Sequence, residues 1–203
     1  HLISSITYMK HEQGCITTEA ERRIRAESLE EIAYLRKTDL PRRKLPISEQ
    51  RPQIEQQLRE HDVILVEAPP GAGKSLDLGV MALQVFPHAR VAMTQPRRDA
   101  AEGVCLATAA RHNLAFGKDV CFSTSEFHGN TKETRLQIQT TGILLNKFKN
   151  DPLLEYYDVV IIDEAHERSL DIDVTLGLLK RANRLRKQAN KEPISIIVAS
   201  ATL

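Results

Sequence analysis

The segment Ala68-Pro69-Pro70-Gly71-Ala72-Gly73-Lys74-Ser75 constrains the fold of this chain more than any other. It follows a short apolar run at residues 63–66 and precedes an apolar-periodic segment at residues 76–86. A strand, a glycine-rich turn and a helix in this order are the setting that a phosphate-binding loop requires. The segment therefore predicts a nucleotide site between a strand and a helix.

Each part of this loop has an expected role. The glycines let backbone N–H groups point at phosphate oxygens, and the helix that follows adds its positive dipole end. Lys74 would reach the β- and γ-phosphates, and Ser75 would offer its hydroxyl to Mg²⁺. Ala68 stands where the usual pattern has glycine, so we expect it to keep an ordinary extended backbone. The predicted nucleotide-binding residues are Pro70, Gly71, Ala72, Gly73, Lys74 and Ser75.

A second motif decides against the alternative that the loop is only a surface turn. The apolar run at residues 159–162 ends in Asp163-Glu164-Ala165-His166. In a parallel α/β sheet, functional loops follow the carboxyl ends of the strands, so Ala68 and Asp163 should lie at the same edge. Asp163 would then bind Mg²⁺, and Glu164 would position or deprotonate water.

Apolar strands and periodic helices alternate along the chain, which predicts an α/β fold with a mostly parallel sheet and helices on both faces. The strand at 136–140 alternates in polarity, so we expect it to be half-buried. Ser48 is expected to cap a helix that runs to about His61. The predicted strands are 63–67, 90–94, 120–123, 136–140, 158–163 and 194–199, and the other predicted helices begin near Lys74, Asp99, Ile143 and Ile172.

Composition limits the classes of function. The 203 residues carry a formal net charge of +1, so any contact with nucleic acid must come from local basic patches. Three scattered cysteines favour a reducing compartment, either cytosol or nucleus. Cys15 is expected to be exposed, and Cys105 and Cys121 are interpreted as small core residues. No apolar run is long enough to span a membrane. The first residue is His1, so we expect a fragment or a processed form of a longer protein.

Residues 1–44 are expected to form a helical extension and a basic linker. Thr18 and Glu21 make a capping box at the start of a charged helix with a loose apolar stripe. We expect this helix to pack by one face on the main domain, although a partner-binding arm remains an alternative. Its stripe is Ile24, Leu29, Ile32 and Leu35, and the basic residues after it are Arg36, Lys37, Arg42, Arg43 and Lys44.

Five motifs occur in an order that resembles the first RecA-like domain of the DEAH-box RNA helicases. The resemblance covers residues 45–203 and includes Leu45-Pro46-Ile47 with Arg51 at the start of the domain. The five motifs are residues 71–75, Thr94-Gln95-Pro96-Arg97-Arg98, Thr140-Thr141-Gly142-Ile143-Leu144-Leu145, Asp163-Glu164-Ala165-His166-Glu167-Arg168 and Ser200-Ala201-Thr202.

The resemblance implies a RecA-like ATPase that uses ATP or another NTP with Mg²⁺. Lys74, Asp163, Glu164 and His166 would form the catalytic group, with His166 linking the nucleotide site to a second lobe. Ser200 and Thr202 would couple hydrolysis to strand separation. The expected partners are single-stranded RNA, a second RecA-like lobe with arginine fingers and an activator protein. Residues expected to bind the RNA backbone are Thr94, Arg97, Arg98, Thr140, Thr141 and Gly142.

The sequence departs from the family pattern at several positions. Thr141 replaces an acidic residue, Asn146 replaces a basic one, and Ala107 aligns with an adenine-stacking arginine, which leaves the preferred base open. Arg97 and Arg98 could instead pair with acids at a helix start, and Ser200 and Thr202 could be turn formers. A DNA helicase and a non-catalytic nucleotide-binding scaffold remain alternative functions. Without a second lobe, we expect this chain to bind nucleotide weakly and hydrolyse it very slowly.

Overall fold

The computed structural model describes residues 18–167 and 169–202. The predictions for Cys15, for Arg168 and for the first seventeen residues lie outside this part of the chain. In order, the elements are α1 (Glu19–Leu35), a 3₁₀ turn (Pro46–Glu49), α2 (Arg51–Glu60), β1 (Val63–Glu67), α3 (Lys74–Val85), β2 (Val91–Gln95), α4 (Arg98–Arg111), β3 (Val120–Ser123), β4 (Leu136–Thr140), α5 (Thr141–Asn150), β5 (Val159–Ile162), a 3₁₀ turn (Ala165–Glu167), α6 (Leu170–Gln188) and β6 (Ser195–Ser200).

The strands form one parallel sheet in the order β1-β6-β5-β2-β4-β3. Their carboxyl ends lie side by side: Glu67 pairs with Ser200, and Gln95 pairs with Thr140. β5 lies between β2 and β6, so the acidic motif after it follows the middle of the sheet. The prediction of an α/β fold with a parallel sheet is confirmed.

Two hydrophobic cores cover the two faces of the sheet. On one face, Leu78 and Met81 of α3 and Cys105 of α4 belong to a core that includes Ile138 of β4. On the other face, α5 and α6 contribute Leu144 and Leu179 to a core that includes Tyr157 and Val160. Helices therefore lie on both sides, as the alternating pattern predicts.

Helix α1 packs by one face, as expected. Its capping box is present, because the Thr18 side chain accepts from the Glu21 backbone and the Glu21 side chain accepts from the Thr18 backbone. Ile32 is buried in the core beside α4, whereas Leu29 is 50% exposed. The basic linker is anchored as well, since Arg111 donates to the carbonyl oxygens of Leu40 and Arg43.

Two local predictions are wrong. Ser48 does not cap a helix: it lies in the 3₁₀ turn, Gln50 precedes α2, and the Ser48 hydroxyl donates to Asp77 Oδ2 at 3.1 Å. β4 is buried on both faces through residue 139 because it lies inside the sheet, with helices above and below. Its polar residues Gln137 and Gln139 therefore face a protein interior instead of solvent.

Helix α3 begins at Lys74, as predicted, whereas α5 and α6 begin two residues earlier than predicted, at Thr141 and Leu170. Cys105 and Cys121 are buried free thiols, in agreement with their interpretation as core residues. Among the described helices, none is long and apolar enough to cross a membrane. The reducing compartment stays a prediction.

Candidate nucleotide and nucleic-acid site

The loop between β1 and α3 owes its shape to two glycines. Gly71 and Gly73 have φ values of 77° and 95°, a region that glycine enters at little cost. Ala68 is not among the described residues with positive φ, and its N–H continues the pairing of β1 with β6 by donating to the Ser200 carbonyl at 3.2 Å. The segment before α2 braces the loop, because the Ile47 N–H donates to the Ala72 carbonyl at 3.0 Å.

Lys74 is buried at the start of α3. Its ammonium group donates to the Ala68 carbonyl and, at 3.2 Å, to the Pro69 carbonyl. The cation is therefore held over the loop, at the positive end of a twelve-residue helix. Ser75 follows on the first turn of that helix and is half-buried. This arrangement suits an anionic ligand such as a polyphosphate.

Asp163 and Glu164 follow the end of β5. Asp163 is 1% exposed, and its Oδ1 accepts from the Glu164 N–H at 3.0 Å. Its Oδ2 accepts from the side-chain amide of Gln95 at 2.7 Å. Glu164 has a φ of 54°, an uncommon conformation for a residue with a side chain, and such strain clusters at functional sites.

His166 connects this acidic motif to the turn after β6. Its Nδ1 lies 3.3 Å from Glu164 Oε2 and accepts from the Ala201 N–H at 3.3 Å. Ser200 shapes the same turn, because its hydroxyl oxygen accepts from the Thr202 N–H at 3.2 Å. Ser200 and Thr202 are therefore joined in a local turn next to the acidic motif. The expected contact of His166 with a second lobe stays a prediction.

The ends of β2 and β4 border an open groove of about 660 Å³. Arg97 and Arg98 are exposed there, Gly142 is exposed, and Thr140 is half-buried. The groove is lined by Pro96, Arg97, Arg98, Asp99, Ser125, Glu126, Thr140 and Gly142. Exposed guanidinium groups beside hydroxyl and backbone groups form a surface that suits a sugar–phosphate backbone.

The expected contact of Thr94 with RNA stays a prediction. This residue is fully buried, and its hydroxyl donates to the Ile161 carbonyl at 3.4 Å. It lies on a strand inside the sheet and is not among the residues that line the groove. Thr141 is also buried, with its hydroxyl 3.5 Å from the Gln95 carbonyl. Within the predicted set, Arg97, Arg98, Thr140 and Gly142 line the groove.

Two residues of the site were missed from the sequence. Gln95 reaches Asp163 from a position 68 residues away, and no local pattern indicates this contact. Glu126, in the loop between β3 and β4, forms an ion pair with Arg98 at the groove. The expectation that an arginine could pair with an acid is thus confirmed for Arg98, and its partner lies 28 residues further along the chain.

A buried carboxylate, Asp77, anchors the first turn of the helix that follows the phosphate loop. Asp77, on the first turn of α3, accepts from Arg111 Nε at 2.8 Å, and it lies 2.9 Å from His112 Nε2. Burial raises the pKa of Asp77, but hydrogen bonds from His112 and Arg111, with their charges, outweigh it and lower the pKa to about 2. The start of α3 is therefore tied to α4 and, through Arg111, to the linker.

The donor set fits a hard cation held together with phosphates. Among residues 18–167 and 169–202, no three His, Cys, Asp or Glu side chains cluster as a metal site. Mg²⁺ in nucleotide sites, however, takes one or two protein ligands plus phosphate oxygens. Asp163 uses one position on each carboxylate oxygen for its described hydrogen bonds, and a carboxylate offers about four. Asp163 and the Ser75 hydroxyl thus suit Mg²⁺.

Comparisons with known proteins agree with this geometry. The family model described as DEAD/DEAH box helicase matches residues 47–203. The chain is 36% identical over 162 residues to the ATP-dependent RNA helicase HrpA of Borreliella burgdorferi, covering 79% of this chain and 19% of HrpA. It is 34% identical over 172 residues to human DHX33, also named an ATP-dependent RNA helicase, covering 84% of this chain and 24% of that protein.

A solved structure shows the same fold. The DEAH/RHA helicase HrpB of Escherichia coli superposes with a TM-score of 0.71 at 32% identity, covering 79% of this chain and 20% of that chain. This chain belongs to the DEAD/DEAH box helicase family, and the relatives it matches are DEAH-box RNA helicases. It spans about a fifth to a quarter of the length of these relatives.

Proposed function

We propose that this chain is the nucleotide-binding lobe of an ATP-dependent RNA helicase. The observation that carries the proposal is that three kinds of group meet at one edge of the sheet. The phosphate loop follows β1, the acidic pair follows β5, and the basic groove lies at the ends of β2 and β4. Binding energy from a nucleic acid can therefore act close to the site where phosphate is cleaved.

The nucleotide would be ATP or another NTP, bound by residues 70–75 of the phosphate loop. Lys74 would contact the β- and γ-phosphates, whose negative charge matches its ammonium group. Ser75 and Asp163 would hold Mg²⁺, which when bound neutralises charge that develops on the phosphates. Glu164 would orient the attacking water and accept its proton. The strained Glu164 backbone, which follows the buried Asp163 directly, and the distance of 3.3 Å between Glu164 Oε2 and His166 Nδ1 support this role.

Single-stranded RNA would lie along the groove at the ends of β2 and β4. Arg97 and Arg98 would bind phosphates without reading sequence, and Thr140 and Gly142 would approach the backbone from the other side. His166, Ser200 and Thr202 would transmit the state of the nucleotide, since His166 already joins the acidic motif to the β6 turn. An activator protein stays a prediction.

A second RecA-like lobe would complete the site in the full-length protein. The relatives are about four to five times as long as the part that they share with this chain, which supports the presence of further domains. Arginine fingers from that lobe would stabilise the transition state, a contribution of about 10³–10⁵ in rate. We therefore expect the isolated chain to bind nucleotide weakly and to turn it over very slowly.

The test uses the full-length protein and a Glu164→Gln variant. Loss of the base should lower NTP turnover by about 10²–10⁴-fold while nucleotide binding is kept. Glu192→Gln serves as the control, because it removes the same charge from an exposed residue in the segment before β6. Unchanged turnover in Glu164→Gln would rule out Glu164 as the base, and nucleotide binding without turnover in the wild-type protein would favour a scaffold. Equal stimulation by matched RNA and DNA strands would contradict the RNA assignment.

A further inference from the structure

Gln95 connects the two halves of the site, which are the acidic motif after β5 and the groove at the ends of β2 and β4. It is the last residue of β2, and it is 2% exposed. Its side-chain amide donates to Asp163 Oδ2 at 2.7 Å, and both partners are buried. A hydrogen bond between two buried side chains is energetically important, because without it the Gln95 amide and the Oδ2 atom of Asp163 would each lose the other as a partner.

The main chain of Gln95 belongs to the other half of the site. Gln95 pairs with Thr140 in the sheet, and Arg97 lies two residues further along the same loop. The Thr141 hydroxyl also points to the Gln95 carbonyl, at 3.5 Å. A shift of the groove residues would therefore move the backbone of Gln95, and its amide would move with it.

We propose that Gln95 is a positioning residue that orients the Asp163 carboxylate for the metal–nucleotide complex and makes that orientation depend on RNA in the groove. The inference rests on the proposed function. The amide donor fixes one carboxylate oxygen, and the Glu164 N–H fixes the other. Residues that orient a metal ligand affect metal affinity or activity about 10- to 100-fold when they are replaced.

The test compares two buried glutamines in the full-length protein. Gln95→Met keeps the length of the side chain and removes its donor. Gln139→Met is the control: Gln139 lies on the neighbouring strand, is 0% exposed, and its amide has no hydrogen-bond partner among the described residues. Three quantities are measured: affinity for a fluorescent ATP analogue in EDTA and in Mg²⁺, affinity for single-stranded RNA without nucleotide, and the factor by which RNA stimulates NTP turnover.

In Gln95→Met, the gain in nucleotide affinity on adding Mg²⁺ should fall about 10- to 100-fold, and RNA stimulation should fall by a similar factor. The affinity for nucleotide in EDTA and the affinity for RNA should stay unchanged, which a general loss of structure would not permit. Gln139→Met should match the wild type in every measurement. Equal effects of the two variants, or no effect of Gln95→Met, would overturn the inference.

A second variant decides the case in which Gln95→Met does not fold, as judged by its melting curve. Gln95→Asn keeps the amide but withdraws it from Asp163 by one methylene group, so the same losses should follow to a smaller extent. Wild-type values in Gln95→Asn would then overturn the inference. If the wild-type protein itself lacks Mg²⁺-dependent nucleotide binding and RNA stimulation, the proposed function fails, and the inference fails with it.

Discussion

Replacing Gly73 with alanine should destabilise the chain through two separable effects. The residue has a φ of 95°, and a left-handed backbone costs an L-residue about 1–2 kcal/mol. An added Cβ would also lie 2.5 Å from Leu45 Cδ1 and 2.9 Å from Leu45 Cβ, which is too close for carbon atoms. Overpacking of this kind typically costs about 1–3 kcal/mol. We therefore expect Gly73→Ala to lower the free energy of unfolding by about 2–5 kcal/mol, the sum of these ranges.

Gly71→Ala isolates the first effect. Gly71 also has positive φ, at 77°, but nothing lies within 4 Å of the position that its Cβ would take. Its expected cost is therefore only the backbone cost of about 1–2 kcal/mol. The difference between the two variants measures the clash with Leu45.

The assay is urea denaturation of the chain without nucleotide, followed by circular dichroism. A double-mutant cycle with Leu45→Ala supplies a second check, because this change removes Leu45 Cδ1 and Cγ, which would lie 2.5 Å and 3.1 Å from the added Cβ, and leaves only the contact with Leu45 Cβ at 2.9 Å. The clash should therefore be partly relieved, and a coupling of up to about 3 kcal/mol between Gly73 and Leu45 is expected. Equal losses in Gly73→Ala and Gly71→Ala, with no coupling to Leu45, would refute the reasoning.

Three further predictions concern charge. Glu126→Gln should raise affinity for single-stranded RNA up to about fivefold in fluorescence anisotropy, because an exposed ion pair competing for Arg98 is worth at most about 1 kcal/mol. Burial lowers the pKa of Lys147 to about 8. Between about pH 8 and the ordinary lysine pKa of 10.5, the unfolded chain carries this proton and the folded chain does not, so folding stability should rise with pH over this range. Lys147→Met should lose this rise. The pKa of Asp77 is lowered to about 2, so the stability it contributes should be lost as pH falls from 3.8 towards 2, and Asp77→Asn should flatten this acid limb.

A different result would contradict each of these three predictions. Glu133→Gln is the control for Glu126, because Glu133 is an exposed acid of the same loop that is not among the residues lining the groove. A similar gain in RNA affinity from Glu133→Gln would mean that only net charge matters. A wild-type stability that is flat between pH 8 and 10.5 would show that Lys147 titrates as an exposed lysine. An acid limb that persists in Asp77→Asn would assign it to other carboxylates.

Much of the site could be predicted because its signals are local. The glycines at 71 and 73 and the lysine at 74 are adjacent in sequence, and the chemistry of a phosphate loop is built from consecutive backbone groups. The apolar run before Asp163 predicts a buried strand whose end carries the acid. The rule that parallel strands gather their functional ends at one edge then places the two motifs together.

Other features depended on contacts that no local pattern encodes. The motif predicts an RNA contact for Thr94, but the Thr94 side chain is buried in the sheet, where its hydroxyl donates to the Ile161 carbonyl. Ser48 has the chemistry of a helix cap, yet it donates to Asp77, 29 residues away. In both cases the side chain had more than one available partner, and tertiary packing selected among them.

The sequence by itself determined the elements, their parallel arrangement and the identity of the nucleotide loop, because hydrophobic periodicity and glycine chemistry act over a few residues. Only the tertiary structure decided the strand order, which inserts β6 and β5 between β1, which carries the phosphate loop, and β2, which leads to the groove. That order brings the amide of Gln95 to Asp163 and the guanidinium of Arg98 to Glu126. These pairs form because a packed sheet fixes distant strand ends at hydrogen-bonding distance, which no sequence window of a few residues contains.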